Sequence, residues 1–144
     1  MRVRVGIVID APPAAVWSAV RDVRSHVAWM SDAESITVTS PTTFDCVTRV
    51  GPFRLVDRME IVEWDEGRAM GIRHVGLVRG EGRFALRRTW RGRTRFTWEE
   101  WLRLPWWMGG PLGALVAKPV LRRIWRANLR RLAVLVGDQR AVAR

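Results

Sequence analysis

The chain has 144 residues, 48% of them hydrophobic, which is enough for one packed domain and argues against a disordered chain. Its 25 Lys+Arg against 14 Asp+Glu leave a formal charge of +11, which favours solubility and unspecific attraction of anions. The surplus is almost all arginine, with Lys118 the only lysine, a bias that fits the codon usage of a G+C-rich genome better than a binding code. One cysteine, Cys46, excludes an internal disulfide and any Cys/His zinc cluster.

Residues 2–10 alternate and are rich in Val and Ile, so they read as a strand. Asp10-Ala11-Pro12-Pro13 then opens a helix over 13–21, with Pro at its first turn. A second short helix is expected over 23–29, capped by Asp22 or Ser25. His26, beside Ser25, is expected at the surface of that helix start.

From residue 34 to 104 the period becomes two. Strands are expected over 34–39, 43–50, 53–64, 68–76, 80–90 and 94–104, separated by Ser40-Pro41, Gly51-Pro52, Asp65-Glu66-Gly67, Gly76 and Arg91-Gly92. The short connections predict an antiparallel meander.

The last segment is helical. At 100° per residue, Leu121, Ile124, Trp125, Asn128, Leu129, Leu132, Leu135 and Val136 share one face, and Arg122, Arg123, Arg126 and Arg130 share the other. Leu112, Leu115 and Val116 fall out of phase with that stripe. Because proline removes a helix donor and clashes with the turn before it, a break near 118–119 is expected, with a separate short helix at about 111–117. The apolar run Leu104–Leu121 is too broken by Pro and Gly to span a membrane. The N-terminus lacks the long apolar core of a signal peptide, and with a single cysteine a reducing, cytoplasmic setting is expected.

This order of elements is a helix grip: an α+β domain in which a curved antiparallel sheet of about seven strands wraps a long C-terminal helix, with two short helices after the first strand. Ile9-Asp10-Ala11-Pro12-Pro13-Ala14-Ala15-Val16-Trp17, then Asp22 and Trp29, resembles the opening of the START-like superfamily, of the polyketide cyclase/dehydrase (SRPBCC) type. The resemblance runs from Val3 to about Val136 and includes Thr94-Arg95-Phe96-Thr97-Trp98-Glu99-Glu100. It implies a single domain over 1–144. It also implies binding of lipids, polyketides or other apolar compounds, with enzymes a minority. Fold alone does not give function.

Strand parity assigns the inner face. It places Phe44, Cys46, Thr48 and Val50 inward, then Phe53, Leu55, Asp57, Met59 and Ile61, then Met70, Ile72 and His74, then Phe84 and Leu86, then Phe96, Trp98, Glu100 and Leu102. The opposite set carries the arginines. A one-residue slip would invert each list. Asp57, His74, Glu100 and, on the helix, Asn128 are polar exceptions in apolar rows. Buried polar groups need partners, and an apolar pocket with a few convergent polar groups is the usual small-molecule site.

Ligand contacts are therefore expected from Phe44, Cys46, Thr48, Leu55, Asp57, Met59, Met70, Ile72, His74, Phe84, Trp98, Glu100, Trp125 and Asn128. Trp17, Trp29, Trp98 and Trp125 fall at core positions. Trp106-Trp107-Met108-Gly109-Gly110 reads as a loop of bulky side chains beside flexible glycines, and Trp106 and Trp107 are expected to form a lid over the cavity mouth.

No phosphate loop, HExxH, CxxC or Gly-x-Ser-x-Gly motif is present, and Gly80-Glu81-Gly82 lacks the third glycine and helix of a dinucleotide site. No cofactor or metal is expected. The leading reading is a carrier or sensor of a small hydrophobic molecule, monomeric or homodimeric. The alternative is a cyclase or dehydratase using Asp57, His74 and Glu100 as acid/base residues, which requires those three to converge in one cavity. An anionic nucleic-acid or membrane-surface binder ranks last. The Arg face has no interleaved aromatic platform for bases, and specific nucleic-acid binding is not expected.

Overall fold

The computed structural model describes residues 1–143. Seven strands form one sheet: β1 (Arg2–Ile9), β2 (Ala33–Val38), β3 (Thr43–Val50), β4 (Phe53–Asp65), β5 (Ala69–Val75), β6 (Arg79–Arg88) and β7 (Thr94–Arg103). Their spatial order is β1-β7-β6-β5-β4-β3-β2, and each neighbouring pair is antiparallel. β2 to β7 are thus a meander, and β1 closes onto its far end through β7.

Helix α1 (Pro13–Val20) and a 3₁₀ helix over Val23–Ala28 carry the chain from β1 at one edge of the sheet to β2 at the other. Pro at the start of α1 needs no backbone partner. Asp22 caps the 3₁₀ helix, its carboxylate accepting from the Arg24 amide at 3.0 Å. The second short helix is therefore 3₁₀ in winding.

Strand parity follows the sequence pattern. Along β7, Thr94, Phe96, Trp98, Glu100 and Leu102 are all buried, while Arg95, Trp101 and Arg103 are exposed. Such alternation marks a sheet with one wet face.

The expected break at Pro119 does not occur. Helix α2 runs unbroken from Gly110 to Val142, about 50 Å at 1.5 Å per residue. Pro119 lies on its solvent side, next to exposed Leu115 and Val116. The Leu115 carbonyl, which loses its usual donor, can take a hydrogen bond from water, so the helix passes through. Leu112, Leu115 and Val116 are out of phase because they sit on the outer face of this same helix.

α2 is divided along its length. Trp125, Leu129, Leu132 and Val136 enter one apolar cluster with Val3, Val5 and Ile9 of β1, Val16 and Val20 of α1, and Phe96 of β7. Before Trp125 the inner side of the helix borders open space, with Leu121 and Ile124 touching the edge of the apolar cluster. That half of the grip forms the wall of a cavity.

Candidate functional site

The cavity has a volume of about 550 Å³, within the usual range for small-molecule sites. β3 contributes Phe44, Cys46, Thr48 and Val50; β4 contributes Leu55, Asp57 and Met59; β5 contributes Met70, Ile72 and His74. Phe84 of β6, Trp98, Glu100 and Leu102 of β7, and Leu121, Ile124 and Trp125 of α2 complete most of the wall. The mouth lies between the β3–β4 hairpin at Gly51, Pro52 and Phe53 and the first turns of α2 at Gly113, Val116, Ala117 and Val120. Phe53, Val116 and Val120 line the cavity and are also exposed to solvent.

One polar cluster interrupts this wall. His74 is buried between two carboxylates: its Nδ1 donates to Asp57 Oδ2 at 2.8 Å and its Nε2 to Glu100 Oε2 at 2.9 Å. The second Glu100 oxygen accepts from the Trp98 indole at 2.9 Å. Burial by itself lowers the basicity of the His74 ring. The charge of Glu100, the hydrogen bonds to both carboxylates and the charge of Asp57 outweigh it, and raise its pKa from 6.5 to about 10. The ring is an imidazolium at neutral pH, with both N–H groups taken.

His74 and Glu100 are two strands apart, on β5 and β7, and they meet over β6. The inward positions of β6 at that level are Gly80, paired with His74, and Gly82, paired with Glu100. A Cβ on Gly82 would stand 3.1 Å from the Glu100 carboxylate. A Cβ on Gly80 would fall 1.8 Å from the Trp101 carbonyl oxygen, and its φ of +142° excludes other residues. Gly80-Glu81-Gly82, which has no nucleotide chemistry to offer, thus clears the space in which the cluster assembles.

A second polar knot lies where α2 meets the loop before β2. Asp32 accepts from the Trp125 indole at 3.0 Å and from Asn128 Nδ2 at 2.7 Å. Asn128 Oδ1 in turn accepts from the Ser31 amide at 3.0 Å. Of the residues expected to touch a ligand, Asn128 is the one placed off the cavity wall; it is fully buried and pins the helix to the loop. Asp32, not anticipated from sequence, lines the cavity instead.

His26 corrects another expectation. It is buried, lines the cavity, and its Nε2 donates to the Val20 carbonyl at 2.7 Å. Desolvation pushes its pKa down to about 4, so it is a neutral ring at pH 7. Burial likewise pushes the Cys46 thiol up to about 11, which leaves it inert as a nucleophile.

Trp106 and Trp107 lie in a 3₁₀ turn, Trp106–Met108, beside the mouth. Met108 reaches the cavity, whereas both indoles stand outside its wall at the surface. Among the described residues no group of three or more His, Cys, Asp or Glu is arranged to hold a metal ion, and no helix is long and apolar enough to cross a membrane.

A seven-stranded antiparallel sheet gripping a long C-terminal helix is the fold of a START-like protein. The chain belongs to the polyketide cyclase / dehydrase and lipid transport family, whose pattern it matches over residues 1–137. No curated protein matches it by sequence. Among solved structures it is similar to a conserved protein from Geobacillus kaustophilus, with a TM-score of 0.82, 12% identity and 96% of each chain covered. A START superfamily protein from Mycobacterium smegmatis superposes with a TM-score of 0.79 at 12% identity, covering 96% of this chain and 98% of that one. An aromatase/cyclase from a Streptomyces species gives 0.68 at 16% identity, covering 95% and 93%. At such identities the likeness carries the fold.

Proposed function

We propose that the protein binds a small apolar molecule, lipid-, polyketide- or aromatic-like, as a carrier or sensor. The observation that carries this reading is the cavity of about 550 Å³ between the sheet and the first half of α2. Its wall is mostly aliphatic and aromatic, with His26, Asp32, Thr48, Arg83 and the Asp57–His74–Glu100 cluster as the polar members. Release of water from such a surface drives binding, and the polar residues set orientation. The stacked indoles of Trp98 and Trp125, both on the wall, offer a flat face to an aromatic ligand.

The second reading, a cyclase or dehydratase, is favoured by one observation: Asp57, His74 and Glu100 converge in one cavity. Against it stands the state of His74. Both ring nitrogens are held by carboxylates, so the ring has no free lone pair with which to accept a proton. General acid–base work needs a group free to exchange protons with substrate. The cluster therefore suits a fixed electrostatic anchor better than a proton shuttle.

The test is native mass spectrometry of protein purified from its own host, paired with displacement of N-phenylnaphthylamine from the purified protein. A copurifying small molecule that competes with the fluorophore supports the reading. Fluorophore binding unaffected by Leu55→Trp and Ile72→Trp, which fill the cavity, would place the site elsewhere and overturn it. Turnover of an apolar ketide that is abolished by His74→Gln, with binding retained, would favour the enzyme.

A further inference from the structure

The surface beside the cavity mouth exposes several large apolar side chains of one stretch of chain. Trp106 is 87% exposed, Leu112 75%, Leu115 73% and Val116 69%. Side chains of this size in one cluster are unusual on a free surface and mark an interaction site. They belong to one stretch: the 3₁₀ turn supplies the indole, and the outer face of α2 supplies the aliphatics. At 100° per residue Leu112, Leu115, Val116 and Pro119 fall within one arc, which Arg123, Arg126 and Arg130 continue along the same outer line of the helix.

Charge selects the occupant. From Trp101 to Gly137 the sequence has seven Lys and Arg residues and no Asp or Glu. The outer face of α2 is therefore apolar for its first turns and cationic beyond them. Two copies of this chain, each at +11, would bring like charges together if they paired through it. Nucleic acid would leave Leu112, Leu115 and Val116 without apolar partners. An anionic bilayer satisfies both halves: aliphatic and indole side chains enter the interface, and arginines meet the phosphates.

We infer that the 3₁₀ turn at Trp106 and the outer face of α2 dock the protein on an anionic lipid surface. Val116 and Val120 belong to the cavity wall as well as to the exposed surface, so the docked face lies at the mouth. Ligand then passes between bilayer and cavity without crossing bulk water. Docking stands on the surface alone; the transfer step rests on the binding function proposed above.

Vesicle flotation tests it with phosphatidylcholine vesicles, with and without phosphatidylglycerol. The protein is expected to float with the anionic vesicles and not with the zwitterionic ones. The combined variant Trp106→Ser, Leu112→Ser, Leu115→Ser should keep the thermal midpoint and lose at least tenfold in vesicle affinity. Arg123→Gln with Arg126→Gln should lose roughly 30-fold, from two cations near the surface. Three results would overturn the inference: no flotation, flotation unchanged in the triple-serine variant, or a soluble dimer that the same variant dissociates. Displacement of N-phenylnaphthylamine, measured without vesicles, reports the cavity separately. A protein that floats but binds no fluorophore keeps the docking and loses the ligand reading.

Discussion

Trp98 of β7 lies flat on Trp125 of α2, ring centroids 4.5 Å apart and planes 19° from parallel. This pair marks the boundary between the two halves of the grip, with filled core on one side and cavity on the other. Each indole is also anchored through its nitrogen, Trp98 to Glu100 and Trp125 to Asp32. Trp125→Ala should cost about 3–5 kcal/mol in urea unfolding, the usual range for deleting a buried tryptophan. Trp125→Phe keeps one stacking ring but removes the donor to Asp32 and part of the buried indole, and should cost less, about 1–3 kcal/mol. Equal losses for the two variants would mean that the stack contributes nothing.

The two histidines give stability opposite pH dependences. His74 has a folded pKa of about 10 against a reference of 6.5. Its contribution is complete below pH 6.5 and is lost as the pH rises toward 10. His26, lowered from 6.5 to about 4, does the reverse: its contribution is complete above 6.5 and is lost as the pH falls to about 4. Each group changes stability by about 1.4 kcal/mol per pH unit inside its window. Cys46, raised from 9.0 to about 11, adds to the alkaline side only above pH 9. Urea midpoints measured across pH should therefore peak near 6.5, and the fall between 6.5 and 9 should vanish in His74→Gln. A level profile over that interval in the unmutated protein would contradict the charged state assigned to His74.

Much of this was legible in the sequence because a strand has a period of two. Parity alone put Asp57, His74 and Glu100 on the inner face, and burial of one polar group per row drew attention to them. Parity does not say which rows touch. That His74 and Glu100 meet across β6 depends on Gly80 and Gly82, and glycines in a strand carry no sign of what passes over them. His26 and Asp32 are not legible in the sequence, for a different reason. They sit in a single 3₁₀ helix and in a loop, too short for any period to distinguish an inner face. The helical period places Asn128 on the buried side of α2, but its partners Ser31 and Asp32 lie nearly a hundred residues away. The apolar face of Leu112, Leu115 and Val116 was visible as a phase mismatch; only the unbroken helix makes it an exposed surface.

Gly82→Ala tests the clearance over β6 directly. The added methyl would press on Glu100 at 3.1 Å and move it off His74. A stability loss of about 1–3 kcal/mol is expected from overpacking. The alkaline fall in stability should also begin at lower pH, because His74 loses the Glu100 charge that helps to hold its proton. Stability loss with an unchanged alkaline limb would show that Glu100 tolerates the methyl in place. Gly80→Ala, with its Cβ driven into the Trp101 carbonyl, should not accumulate as folded protein.

Pro119 is the remaining local conflict in the fold, and its removal should stabilise the protein. A proline inside a helix is about 3 kcal/mol less favourable than alanine. Loss of the ring also loosens the unfolded chain, which offsets about 0.4–1 kcal/mol of that. Pro119 is exposed and contributes nothing to the apolar cluster beneath α2, so no packing is forfeited. Pro119→Ala should therefore raise the urea midpoint by an amount equivalent to about 2 kcal/mol, with the slope of the transition unchanged. The same substitution restores the hydrogen bond to the Leu115 carbonyl and stiffens the helix where it borders the mouth. Association and release of N-phenylnaphthylamine should both slow while its affinity changes little. A lower midpoint would contradict the absence of packing assigned to the Pro119 ring.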